Sequence, residues 1–281
     1  MLLHIEYDSN HGTSQGIWPR FYLQMVDLGE LAIGQEFHDR IKVYFEKVIP
    51  DLTNLYDIYH KLCNTITEYK EGVKNGKYFK VDNRGHSSFD RLSEVEIYNQ
   101  TKDFIIRTKI VIVNFIKSGF ADENSFKLSD FFFCPLAKLQ EKKNQYLKSA
   151  DSKYVPLIKL IEKANKEFLT QLNEIRGSIE HDLFSLVKFS LVREGSTATI
   201  TEPNLQDLLL SEKLTFYYDK TLEFIEKLMV YYIGINGEIN KNGFLELHVD
   251  EVHDYAEMKY KYTFSLAGTP WSLTSKKCNY D

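Results

Sequence analysis

Cysteine is scarce in this chain: Cys63, Cys134 and Cys278 are the only three among 281 residues. They are odd in number, far apart and without CxxC or Cys/His ligand spacing, so neither a disulfide framework nor a zinc knuckle is expected, and a reducing cytosol fits. Proline is also sparse, at six, and with 43% hydrophobic and 27% charged residues the composition is that of a folded chain rather than a disordered or collagenous one. Long apolar runs are missing. The most apolar stretch, Phe104 to Ile116, is broken by Arg107 and Lys109, and the amino terminus Met1-Leu2-Leu3-His4-Ile5-Glu6 has no basic leader. A cytoplasmic protein without signal peptide or membrane span is therefore the expectation. Positive charge is not in excess either: 35 Lys and Arg against 40 Asp and Glu give a net charge of −5. That balance argues against a protein that coats nucleic acid nonspecifically, since such binding needs many cations on phosphates.

Helical periodicity is what the chain has in abundance. Apolar residues recur at steps of three and four from about Leu28 to Tyr69, across Pro50, which reads as one helix broken or kinked just before the proline. Gly72, Gly76 and Gly85 then mark a loop, and a second helix runs from about Leu92 to Lys117, stopping at Gly119. A third starts near Pro156 and carries Ile161, Ala164, Phe168, Leu172, Ile175, Ile179, Leu183 and Leu186, a buried stripe on a rod of about 45 Å. A fourth spans about Asn204 to Ile233. Period-2 patterning replaces the helical one from Val187 to Thr201, around Glu194-Gly195-Ser196, and again from Phe244 to Phe264. The expected fold is mainly α: a bundle of four or more long helices with a small β hairpin and a carboxy-terminal β extension. Residues 1–236, including an amino-terminal strand and the hairpin at about 187–201, form the helical domain. The β extension, residues 237–281, packs on it, and there is no internal repeat.

The residues with the most specific chemistry are Glu174-Ile175-Arg176-Gly177-Ser178-Ile179-Glu180-His181-Asp182, near the end of the third helix. Arginine presents a fixed fork of donors matched to phosphate oxygens, and histidine titrates nearest neutrality, so the pair suits phosphodiester chemistry. On an ideal helix His181 lies about 140° round from Arg176, with Gly177 projecting between them. The surface there is a notch with the arginine on one wall and the histidine on the other. A second copy of the helix, antiparallel across a two-fold axis, would bring one copy's Arg176 opposite the other's His181. A structural account stands beside this one. Arg176 and Glu180 also have the spacing of a surface ion pair worth a few tenths of a kcal/mol, Gly177 also suits a kink or a tight crossing, and His181 is also a helix-end residue beside Asp182.

Arg176-x4-His181, set in Ile-Arg-x-x-Ile-x-His-Asp at the end of a long helix, resembles the Arg-x(4–6)-His motif of the HEPN superfamily of helical nucleotide-binding domains. The likeness covers that motif and its helical setting, about residues 28 to 236. It implies a compact bundle, dimeric through the motif helix, and a metal-independent endoribonuclease without cofactor, of toxin, antiphage or RNA-processing type. It puts Arg176 on the scissile phosphate and His181 in proton transfer with an attacking 2′-hydroxyl, leaving a cyclic phosphate, with Gly177, Glu180 and Asp182 shaping the site. Partners it implies are RNA or a nucleotide, a second copy, and an antitoxin or nucleotidyltransferase. Where the family often has asparagine directly after the arginine, this chain has Gly177. That departure keeps open a noncatalytic module binding nucleotide, RNA or protein through the same face.

Other residues carry weaker signals. His248 and His253 with Asp250, Glu251 and Asp254 are a candidate cation cluster, but strand alternation scatters them and a solvated acidic edge is the simpler reading. Tyr217-Tyr218 and Tyr231-Tyr232 suit base stacking or, more simply, the core. Basic residues outnumber acidic ones between Leu136 and Lys166, leading into the motif, as on a solvated helix face.

Overall fold

A computed structural model describes residues 48–116, 122–123, 126–127, 133, 138–142, 144, 155–186, 188–195, 197–236, 245–249 and 262–266. The expected amino-terminal strand and the helix before Pro50 lie outside these residues. The architecture is mainly α: α1 (Ile49–Lys74), α2 (Leu92–Phe115), α3 (Val155–Ala164), α4 (Thr170–Glu180) and α5 (Leu210–Asn236). Among the described residues the strands, β1 (Phe79–Val81) to β10 (Tyr262–Leu266), make only two-stranded antiparallel sheets. Among the described residues no helix is long and apolar enough to cross a membrane.

Each helix forms because its apolar residues fall on one face. α1 buries Leu52, Leu55, Leu62, Ile66, Tyr69 and Val73, and α2 buries Ile97, Phe104, Ile105, Val111, Ile112 and Phe115. At roughly 1.5–3 kcal/mol for each fully buried large side chain, these stripes outweigh any local propensity. α1 packs on α2 and α5, and α2 packs on α4 and α5. Tyr59 of α1 stacks on Tyr218 of α5 at 4.4 Å between ring centres. Tyr217 and Tyr218 are both buried, so they belong to the core.

The third rod differs from expectation in two ways. A π turn, Asn165–Leu169, separates α3 from α4, and it turns Phe168 and Leu169 inward, Phe168 meeting Phe224 of α5 edge-on at 5.9 Å. The helix then ends at Glu180 rather than continuing through Leu186. Leu183, whose spacing continues the apolar stripe, is 74% exposed.

Two more segments depart from the sequence reading. Residues 79–89, expected as loop, contain the hairpin of β1 and β2 (Ser87–Phe89), with Phe79 opposite Phe89. The fourth helix starts at Leu210 and not near Asn204, because β7 (Asn204–Leu205) and β8 (Leu208–Leu209) form a tight hairpin turned by Gln206 at φ 63°. The Glu202 carboxylate accepts from the Ser211 amide at 2.9 Å and from Lys70 Nζ at 2.8 Å, closing the start of α5. The hairpin expected around Gly195 is present as β5 (Ser190–Glu194) and β6 (Thr197–Thr201). In the carboxy-terminal region β9 (Leu245–Val249) pairs with β10, His248 facing Thr263 in register, while residues 250–254 lie outside the described residues.

Candidate functional site

The end of α4 is a cap of defined geometry. His181 is the capping residue directly after the helix, with φ −97° and ψ 13°, and Asp182 follows in the left-handed region at φ 55°. The amide of Asp182 donates to the Ile179 carbonyl at 3.3 Å, and that of Leu183 to the Ser178 carbonyl at 2.8 Å. This is the crossed pair of bonds that satisfies the last carbonyls of a helix. α1 ends the same way, but with Gly76 at φ 75° in the left-handed position. α4 uses an aspartate there, a residue that visits this conformation less freely than glycine.

Beyond the cap the chain is fastened to α2. Tyr98 Oη donates to the Phe184 carbonyl at 2.8 Å, and the two rings stack at 5.5 Å. One turn of α2 after another runs back along α4, so that Lys109 meets Asn173, its ammonium donating to Asn173 Oδ1 at 2.6 Å. The two helices are therefore antiparallel at this seam, with His181, Asp182 and Leu183 exposed between the two fastenings.

Arg176 is half-buried, and its guanidinium pairs with the Glu180 carboxylate one turn on. Gly177 lies in ordinary helical conformation on an open surface: a Cβ placed there would meet nothing within 4 Å. Among the described residues there is thus no tight crossing to account for the glycine. The His181 ring is exposed and, among the described residues, makes no hydrogen bond or ion pair. The structure thus brings Arg176 and Glu180 together, leaves Gly177 open beside them, and puts His181 and Asp182 at the exposed end of the same helix. It does not join Arg176 to His181 within one chain.

Lys109 and Asn173 belong to this site and carry no motif. Burial, first, and then the Arg176 guanidinium lower the pKa of Lys109, while Glu180 raises it. The ammonium also lies 4.8 Å from the centre of the Phe133 ring. Neither was picked out by the sequence reading; the signals that could have found them are weak, a lysine inside the most apolar stretch of α2 and an asparagine three residues before Arg176 on the same helix face. Chemically, two cations and an amide lie along the α2–α4 seam, with an exposed imidazole beyond them at the helix end, an arrangement suited to an anion such as a phosphodiester. Among the described residues no group of three or more His, Cys, Asp or Glu is gathered for a metal ion. No known family model, curated protein or solved structure matches the chain.

Proposed function

We propose that the end of α4 binds a phosphodiester and that the protein is a metal-independent endoribonuclease of HEPN type. Arg176 holds the scissile phosphate, and His181 exchanges a proton with the attacking 2′-hydroxyl. The observation that carries the reading is an exposed imidazole at the helix end, without a hydrogen bond or ion pair among the described residues, just beyond a half-buried arginine and an open glycine. A second copy, packed along α4 with its axis reversed, supplies the facing arginine or histidine, and exposed Leu183 offers that copy an apolar contact beside His181.

One observation favours a second reading, a noncatalytic module that binds RNA, nucleotide or protein with the same face. The Arg176 guanidinium is already engaged by Glu180, as expected of a residue with a structural job. A single experiment separates the two. Under the nuclease reading, purified protein cleaves single-stranded RNA in EDTA, and Arg176→Ala and His181→Ala each abolish cleavage while the helical circular dichroism is unchanged. RNA binding without cleavage in the wild type selects the module, and cleavage that survives both substitutions removes these residues from the chemistry.

A further inference from the structure

Two cations share the α2–α4 seam, and only Arg176 belongs to the motif. Asn173 and Arg176 are three residues apart on α4, so their side chains sit one above the other on one face. Lys109, bonded to Asn173 at 2.6 Å, is therefore held beside the Arg176 turn by a neighbouring helix. Its ammonium is restrained from two sides, by the Asn173 oxygen and the Phe133 ring. Like charges gathered in a partly buried seam repel, and the compensating charge here is the Glu180 carboxylate, which pairs with Arg176 directly and acts on Lys109 through space. A carboxylate offers a guanidinium the same two-oxygen face that a phosphate does. Glu180 is 43% exposed in its side chain and has water to turn into, whereas Lys109 is anchored.

We propose that Glu180 occupies in the free protein the place of a substrate phosphate, and that Lys109 and Arg176 jointly receive that phosphate when the carboxylate turns away. This rests on the phosphodiester reading of α4 and adds to it a binding residue on another helix and a built-in competitor. Binding is then an exchange of anions: the arginine trades a carboxylate for a phosphate oxygen, the lysine gains a full counter-charge, and the carboxylate is hydrated. Glu180 weakens the association of every RNA equally and so sets affinity without reading sequence.

The test is binding of a short single-stranded RNA to the full chain, followed by fluorescence anisotropy at several salt concentrations, with inorganic phosphate as competitor. Glu180→Gln is expected to tighten RNA about fivefold, the scale of removing one unit charge about 4 Å from a phosphate in water, and to make phosphate a better competitor. Lys109→Met is expected to weaken RNA and to flatten the plot of log K against log salt by about 0.7, one phosphate contact on a single strand. Lys109→Arg keeps the slope. The exchange is overturned if Glu180→Gln fails to tighten binding or Lys109→Met keeps the wild-type slope while Arg176→Ala still weakens binding; the phosphate site then stands without it. If Arg176→Ala also binds as the wild type does, or the wild type binds no RNA, the phosphodiester reading itself falls. Should Lys109→Met not fold, the exposed Glu180→Gln decides the matter alone.

Discussion

Replacing Gly177 by alanine separates stability from function at the one position where the account says they conflict. Gly177 has helical backbone, in contrast to Gly76, Gly85 and Gly195, which have positive φ, so alanine adopts its conformation without strain. Among the described residues the added methyl would meet nothing within 4 Å, so no packing cost from them offsets the gain in helix propensity, which is about 0.8–1 kcal/mol in a helix interior. Gly177 lies in the last turn, its carbonyl accepting from the His181 amide at 3.1 Å, where fraying trims that gain. A stabilisation of about 0.5–1 kcal/mol is expected, raising Tm by about 1–4 °C. Urea and thermal unfolding measure it. Gly72→Ala is the control: there a Cβ would lie 2.3 Å from the Tyr78 ring, and overpacking of about 1–3 kcal/mol lowers stability. The stabilised Gly177→Ala protein should nonetheless lose RNA cleavage or binding, because the methyl stands on the open face between Arg176 and His181 that the RNA backbone would approach. A destabilised variant would refute the reading of an open glycine, and a stabilised one with full RNA activity would refute its use.

Two further outcomes follow from the same geometry. Asp182→Gly should stabilise by about 0.5–1 kcal/mol, since glycine enters the left-handed region at φ 55° freely, and Asp182→Val should destabilise; chemical denaturation of both variants checks the cap. Glu223 gives a pH prediction. Burial alone raises its pKa, but hydrogen bonds from Lys227 and Lys220 outweigh that and hold it at about 2, below the ordinary 4.5. The folded value is the lower one, so this carboxylate adds stability above about pH 4.5 that is lost as pH falls towards about 2. The difference in unfolding free energy between wild type and Glu223→Gln should shrink across that window, and a difference that stays constant would contradict the ion-pair assignment.

The helices were legible because burial leaves a 3.6-residue rhythm in the apolar positions, and α2 lies within the span that rhythm marked. The end of α4 was not. Leu183 and Leu186 continue the stripe, yet Asp182 turns left-handed, and no glycine or proline announces the stop. The π turn at 165–169 was hidden for a similar reason: its wider turn still presents Asn165, Phe168 and Leu169 to the core at spacings an α-helix also produces. Before α5, Leu208, Leu209 and Leu210 mimic a helical face, but Gln206 at positive φ and the Glu202 cap place the first two in a hairpin. At the site, residues close in sequence were readable, as with Arg176 and Glu180 four apart. Lys109 was not, because its place beside Arg176 depends on how α2 and α4 cross, a contact 64 residues apart in the chain.

The most direct measurement is the chemistry of the RNA ends left after incubation with the protein in EDTA. A 2′,3′-cyclic phosphate on the upstream fragment, formed by the wild type and by neither Arg176→Ala nor His181→Ala, is the predicted result. Intact RNA, or fragments ending in a 3′-hydroxyl, would contradict the assignment of an arginine-held phosphate and a histidine that moves the proton of the 2′-hydroxyl.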